Sequence, residues 1–216
     1  MAGSNKLSGL TSAEILQQIS PTELDGSGSS ANYTYSIWIY VDDWNKKYGE
    51  TKVIFGRMVE GSAALKPCPS IELGKTQNNL IISQTVYDDS TTGNSTTDNV
   101  ETFVVNNIPI QKWVNITIST HGRTMDVYLD GKLVRTNILG GVAKIDTNSP
   151  VFVTPNGGFS GWTSRFQYWD NSMDPQEVWN IYKRGYGGSW LGGLFGTYSV
   201  KLSLMEGDTE KSAIVI

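Results

Sequence analysis

The chain has 216 residues, 38% of them hydrophobic, and 17 Lys and Arg against 21 Asp and Glu give it a net charge of −4. That length suits one large β domain, which commonly runs to about 200–250 residues, and the evenly scattered charge lacks the basic footprint of a nucleic-acid-binding protein. Cys68 is the sole cysteine, which excludes a disulfide framework. No apolar run reaches the length of a signal-peptide core or a transmembrane span, so a soluble protein of undetermined compartment is expected.

Residues 1–31 read as a polar N-terminal arm. Thr11 and Glu14 have capping-box spacing, and Leu10 and Ile15 can staple the same turn, which predicts a short helix with Ile15, Leu16 and Ile19 on one face. A helix this short is marginal alone, so it would dock on the body of the domain or on a neighbour. The run Asp25-Gly26-Ser27-Gly28-Ser29-Ser30 follows as a flexible linker.

At Tyr33 the period changes to two. Tyr33, Tyr35, Ile37, Ile39 and Val41 alternate with Thr34, Ser36, Trp38 and Tyr40, the signature of a strand with one buried face. Similar strand-like runs lie near 52–59, 70–74, 79–87, 100–105, 113–119, 124–129, 132–138, 150–153, 163–169 and 197–204. In the central run Val114, Ile116 and Ile118 are expected to face inward, and Asn115, Thr117 and Ser119 outward. Asp130-Gly131 supplies a tight hairpin turn, because both central residues of a type I′ turn need positive φ.

One helix is predicted near 174–184. Asp174 caps it, Pro175 suits its first position, Glu177 closes the capping box, and Val178, Ile181 and Tyr182 form its buried stripe before Gly185 ends it. A Gly-rich crossing at 185–196 and a polar tail at 206–216 follow. The expected organisation is an arm (1–31), an all-β antiparallel two-sheet jelly-roll sandwich (32–205) and a tail (206–216).

The Trp113 strand, the His121-Gly122-Arg123 turn and the Tyr128-Leu129-Asp130-Gly131 hairpin, followed by Gly158-Phe159-Ser160-Gly161 and the capped helix from Met173, resemble the laminin-G and concanavalin A-like pattern. With Tyr35 to Ile39 as an early core strand, the resemblance spans about residues 33–184 and implies the sandwich fold. The acidic pair that family often carries after its Phe-x-Gly-x motif is replaced here by Thr163-Ser164-Arg165. The arm and the Tyr198 to Leu202 strand also resemble laminin-G-like proteins of large DNA viruses. That second resemblance implies a minor capsid or virion-associated structural protein, contacting other virion proteins or itself.

Glycoside hydrolysis needs two carboxylates across the scissile bond, and the only matching spacing, Glu206 to Glu210, falls in the polar tail. His121 is the sole histidine, so no His/Cys zinc cluster or supported Ser-His pair exists and no enzyme is expected. The resemblance makes calcium the one cofactor to consider. Asp88, Asp89 and Asp98 are its candidate ligands, with Asp42-Asp43-Trp44-Asn45 as a weaker set, although a solvated hairpin loop has the same composition. Trp44, Trp162 and Trp190 are candidates for stacking on sugar rings. Leu10, Ile15, Leu16, Ile19, Tyr186, Trp190, Leu194 and Phe195 are candidate partner contacts. Asn32, Asn94 and Asn115 head Asn-x-Ser/Thr sequences. The expected function is a non-catalytic structural protein, with a lectin-like module as the alternative.

Overall fold

The computed structural model describes residues 5–6, 8–24, 31–57, 66–87, 99–187, 201–206 and 209–215. Its strands are β1 (Asn5–Lys6), β2 (Thr11–Ser12), β3 (Gln17–Ile19), β4 (Tyr33–Val41), β5 (Lys52–Arg57), β6 (Ser70–Leu73), β7 (Leu80–Val86) and β8 (Asn99–Val105). They continue with β9 (Trp113–His121), β10 (Thr124–Leu129), β11 (Lys132–Ile138), β12 (Val151–Val153), β13 (Gly161–Trp169), β14 (Lys201–Glu206) and β15 (Thr209–Val215). The α-helix, α1, spans Pro175–Lys183. One sheet has seven strands in the order β1-β13-β4-β9-β10-β11, with β2 also pairing β13, and the other has six in the order β3-β12-β5-β6-β7-β8. Every ladder is antiparallel, as expected of a jelly-roll sandwich.

The core forms because each sheet turns one set of alternating side chains toward the other. Tyr35, Ile37 and Ile39 of β4, Val114, Ile116 and Ile118 of β9, and Met125 and Val127 of β10 meet Phe55, Ile71, Leu73, Leu80 and Ile82 from the facing sheet. Tyr35 lies 5.4 Å from the Phe55 ring of the facing sheet, joining the layers, and 4.9 Å from Tyr168 of its own sheet. The Asp130-Gly131 turn has φ of 49° and 73°, as the hairpin requires.

The opposite face of the seven-stranded sheet departs from the sequence reading. Asn115, Thr117 and Ser119 do not face solvent; all three are buried. Their polarity is satisfied within the sheet and, for Ser119, by the segment leading into α1. The Ser36 hydroxyl accepts from Asn115 Nδ2 at 3.0 Å and from Thr117 Oγ1 at 2.9 Å. Ser119 Oγ accepts from the Met173 N–H at 2.8 Å, and Thr34 Oγ1 donates to the Asn171 carbonyl at 2.8 Å. Trp38 then stacks on Tyr182 of α1 at 5.5 Å. Burial of Asn115 within this network also removes it as a glycosylation acceptor in the folded chain.

Among its described residues the arm holds no α-helix. β2 adds to β13 and β3 adds to β12, so residues 11–19 join both sheets, and a short 3-10 turn at Pro21–Glu23 carries the capping box instead. Ile19 is consequently a core residue rather than a partner contact. The tail is likewise not wholly irregular: β14 and β15 pair as an antiparallel ribbon, replacing the single last strand and the solvated segment expected from residue 206.

Between the sheets, buried Arg57 donates from Nε to the Ser149 carbonyl at 3.2 Å. Asp146 stands near it. Burial works to raise the Asp146 pKa, but hydrogen bonds from the Ser149 hydroxyl and the Asn148 N–H, with the charge of Arg57, hold it below the usual carboxylate value. A depressed folded pKa stabilises the fold above the unfolded value of about 3.9 and loses that contribution as pH falls through the folded value. An Asp146→Asn chain should therefore gain less in urea midpoint than the parent between about pH 3 and pH 5. Ile37, wholly buried, gives a second test: Ile37→Ala should lower the unfolding free energy by about 2–5 kcal/mol in urea titration.

Candidate functional site

Three connections meet at one end of the sandwich: β4–β5, β6–β7 and β8–β9. They enclose an open cleft of about 720 Å³ lined by Trp44, Thr76, Gln77, Asn78, Asn79, Asn106, Asn107 and Ile110. Backbone bonds hold the walls together. Gly49 N–H donates to the Lys75 carbonyl at 2.9 Å, and Gln111 N–H donates to the Val41 carbonyl at 2.8 Å. Ile108 N–H donates to the Asn78 carbonyl at 2.7 Å, while Asn78 Nδ2 donates back to the Ile108 carbonyl at 3.1 Å. Asn107 and Gln111 take positive φ of 62° and 56°, which bends the β8–β9 connection at the cleft.

Lys52 ties the β4–β5 and β6–β7 connections together. Its Nζ donates to the Lys47 and Lys75 carbonyls at 3.3 and 3.4 Å and lies 4.7 Å from the centre of the Trp44 ring. Burial, with the neighbouring Lys47 charge, lowers its pKa against an opposing pull from Glu50. At the other wall Gly74 is required by close approach, since a Cβ there would overlap the Asn79 amide and the Gln77 carbonyl. Asn79 Oδ1 is buried beside the cleft with no hydrogen-bond partner among the described residues. A smaller cleft of about 450 Å³, with Val105, Leu129, Val134 and Arg135, shares Asn106 and Asn107.

Of the expected sugar-stacking residues, Trp44 lies in this cleft and Trp162 does not. Trp162 pairs with Tyr40 on β13, is 47% exposed, and continues an aromatic ledge in which Tyr40 lies 5.7 Å from Trp113 and Trp113 stacks on Tyr186 at 4.4 Å. Trp190, Leu194 and Phe195 lie outside the described residues, as do Asp88, Asp89 and Asp98. Leu10, Ile15 and Leu16 are exposed, Leu10 by 64%. The amides of the cleft were missed by the sequence reading. Three separated polar stretches, Thr76 to Asn79, Asn106-Asn107 and the loop of Trp44, carry no linear motif, and only the fold brings them together.

Of the weaker calcium set, Asp42, Asp43 and Asn45 lie in the β4–β5 connection with Trp44. Asp43 Oδ1 accepts the Asn45 N–H at 2.8 Å, and no group of three His, Cys, Asp or Glu side chains gathers among the described residues. His121 is exposed and pairs with Ser172 Oγ at 3.2 Å. Cys68 is buried, and that burial raises its pKa. Among the described residues no helix is long and apolar enough to cross a membrane.

The two antiparallel sheets and the covering helix define a jelly-roll β-sandwich domain. The family model described as Laminin_G_3, of the concanavalin A-like lectin/glucanases superfamily, matches residues 17–182, and the chain belongs to that family. The match begins within the arm, consistent with β3 being part of the six-stranded sheet. Among solved structures, the chain is similar to the receptor binding domain of a botulinum neurotoxin C/D mosaic serotype, with 13% identity and a TM-score of 0.52 over 72% of this chain. The binding domain of botulinum neurotoxin serotype D is similar at 13% identity and a TM-score of 0.52 over 73% of this chain. The chain spans 37% of the length of each, and at this identity the likeness establishes the fold alone. No curated protein sequence matches the chain significantly.

The reciprocal Asn78–Ile108 pair predicts a measurable contribution from a cleft wall. Asn78→Ala leaves the Ile108 carbonyl without its side-chain donor and should cost about 0.5–1.5 kcal/mol of stability, read from the urea midpoint.

Proposed function

We propose that the chain is a non-catalytic carbohydrate-binding module whose site is the Trp44 cleft. The observation that carries this is the lining itself, one indole beside five side-chain amides and the Thr76 hydroxyl, with no carboxylate. Sugar hydroxyls both donate and accept, and an amide offers both functions at one group. The indole supplies an apolar face for a pyranose ring. Neither cleft is lined by the carboxylate pair that glycoside hydrolysis uses. The botulinum neighbours named as receptor-binding and binding domains are in keeping with a binding role.

A second reading, a minor capsid or other structural component of a virus particle, draws on exposed Leu10, Ile15, Leu16 and Tyr186 as contacts for neighbouring virion proteins. A free assembly arm no longer supports it, because residues 11–19 are built into the two sheets.

A glycan array separates the two. Saturable binding to neutral glycans is expected, unchanged by a calcium chelator. Trp44→Ala and Asn106→Ala should each weaken binding about tenfold, equivalent to about 1.4 kcal/mol, with the melting temperature held. Absence of saturable binding to any sugar would defeat the proposal.

A further inference from the structure

The two sheets end on one side of the sandwich in β8 and β11, which belong to different ladders and do not pair with each other. Backbone bonding therefore stops at these strands, and side chains must bridge the gap between the layers or leave it as a groove. Arg135 of β11 bridges it. Its Nη1 donates to the Val104 carbonyl of β8 at 2.6 Å, and its guanidinium lies 5.5 Å from the centre of the Phe103 ring. With Val105, Leu129 and Val134 it lines the smaller cleft of about 450 Å³.

Asn106 and Asn107 line this cleft and the Trp44 cleft alike, so the two meet along the β8–β9 connection. Both asparagines are exposed, and the bond from the Ile108 N–H to the Asn78 carbonyl fixes the saddle they form. Each cleft alone lies within the roughly 300–1,000 Å³ that takes a small ligand, so the pair has room for more than one sugar unit. Their linings also differ in a way a sugar chain can use. The Trp44 end presents an indole and amides, the saddle two amides, and the far end three aliphatic side chains with a guanidinium. Sugar hydroxyls bond to amides and guanidinium donors, while the C–H faces of the rings rest on apolar side chains. Arg135 makes one hydrogen bond among the described residues, which leaves most of its five N–H donors for a ligand. No carboxylate of the described residues lines either cleft to repel or compete.

Given the Trp44 cleft as a sugar site, we infer that it is one end of a longer groove and that the ligand is a linear neutral oligosaccharide. One unit stacks on Trp44, the chain crosses the Asn106-Asn107 saddle, and a further unit lies on Val134 with its hydroxyls against Arg135. Recognition then extends to units within a chain rather than resting on a single terminal sugar.

Calorimetric titration of the full chain with maltose-, cellulose-, mannose- and N-acetylglucosamine-derived oligosaccharides, from monosaccharide to hexasaccharide, tests this. In at least one series the hexasaccharide should bind about tenfold more tightly than the disaccharide. Arg135→Ala and Val134→Lys should each remove that gain and leave disaccharide affinity at the parent value, whereas Trp44→Ala should weaken every length. Circular dichroism checks the fold of both second-cleft variants, and Val134→Lys, at an exposed edge position, carries the test if Arg135→Ala does not fold. Equal affinity for disaccharide and hexasaccharide, or a length gain that survives these substitutions, would overturn the longer groove and leave the Trp44 site standing. No saturable binding at any length would overturn both.

Discussion

Burial on both faces of the central strands of the seven-stranded sheet, β4 and β9, is the constraint on which the rest of the molecule depends. The sheet's inner face is apolar and closes against the second sheet. Its outer face carries Thr34, Ser36, Asn115, Thr117 and Ser119, and a polar row can be covered only if each group finds a partner. Ser36 accepts from two neighbours and Ser119 bonds the Met173 backbone in both directions. These bonds settle where the chain must run after β13, and so place α1 over Trp38 and Tyr186 against Trp113.

The rim cleft follows from the same sandwich. β4, β7 and β9 bring their connecting loops to one end, where backbone bonds and the Lys52 amine lock them into walls. Placing a lysine there costs solvation, which lowers its pKa, and two carbonyls with the Trp44 face offset that cost. The result is a cleft whose polar side chains are five amides and the Thr76 hydroxyl, held on a braced frame.

The N-terminal segment shows where local sequence signals mislead. Thr11 and Glu14 have the spacing of a helix start, yet the segment gains more as strands, because β13 and β12 present unpaired edges that it completes. Pairing across about 150 residues leaves no trace in the local pattern. By contrast, the Asp174 cap and Pro175 start α1 as read, since every group involved lies within a turn.

What the chain determines by itself is the set of elements whose cause is local: the alternation of β4 and β9, the Asp130-Gly131 turn, the capped helix, and hence a sandwich of this family. Tertiary structure alone decided that Asn115 is interior, that Ile19 is core, and that Trp44 shares a cleft with Gln77 and Asn107 while Trp162 stands on another face. The reason is physical: turns and caps are closed by neighbouring residues, whereas a buried polar row and a cleft exist only once distant strands have met and excluded water between them.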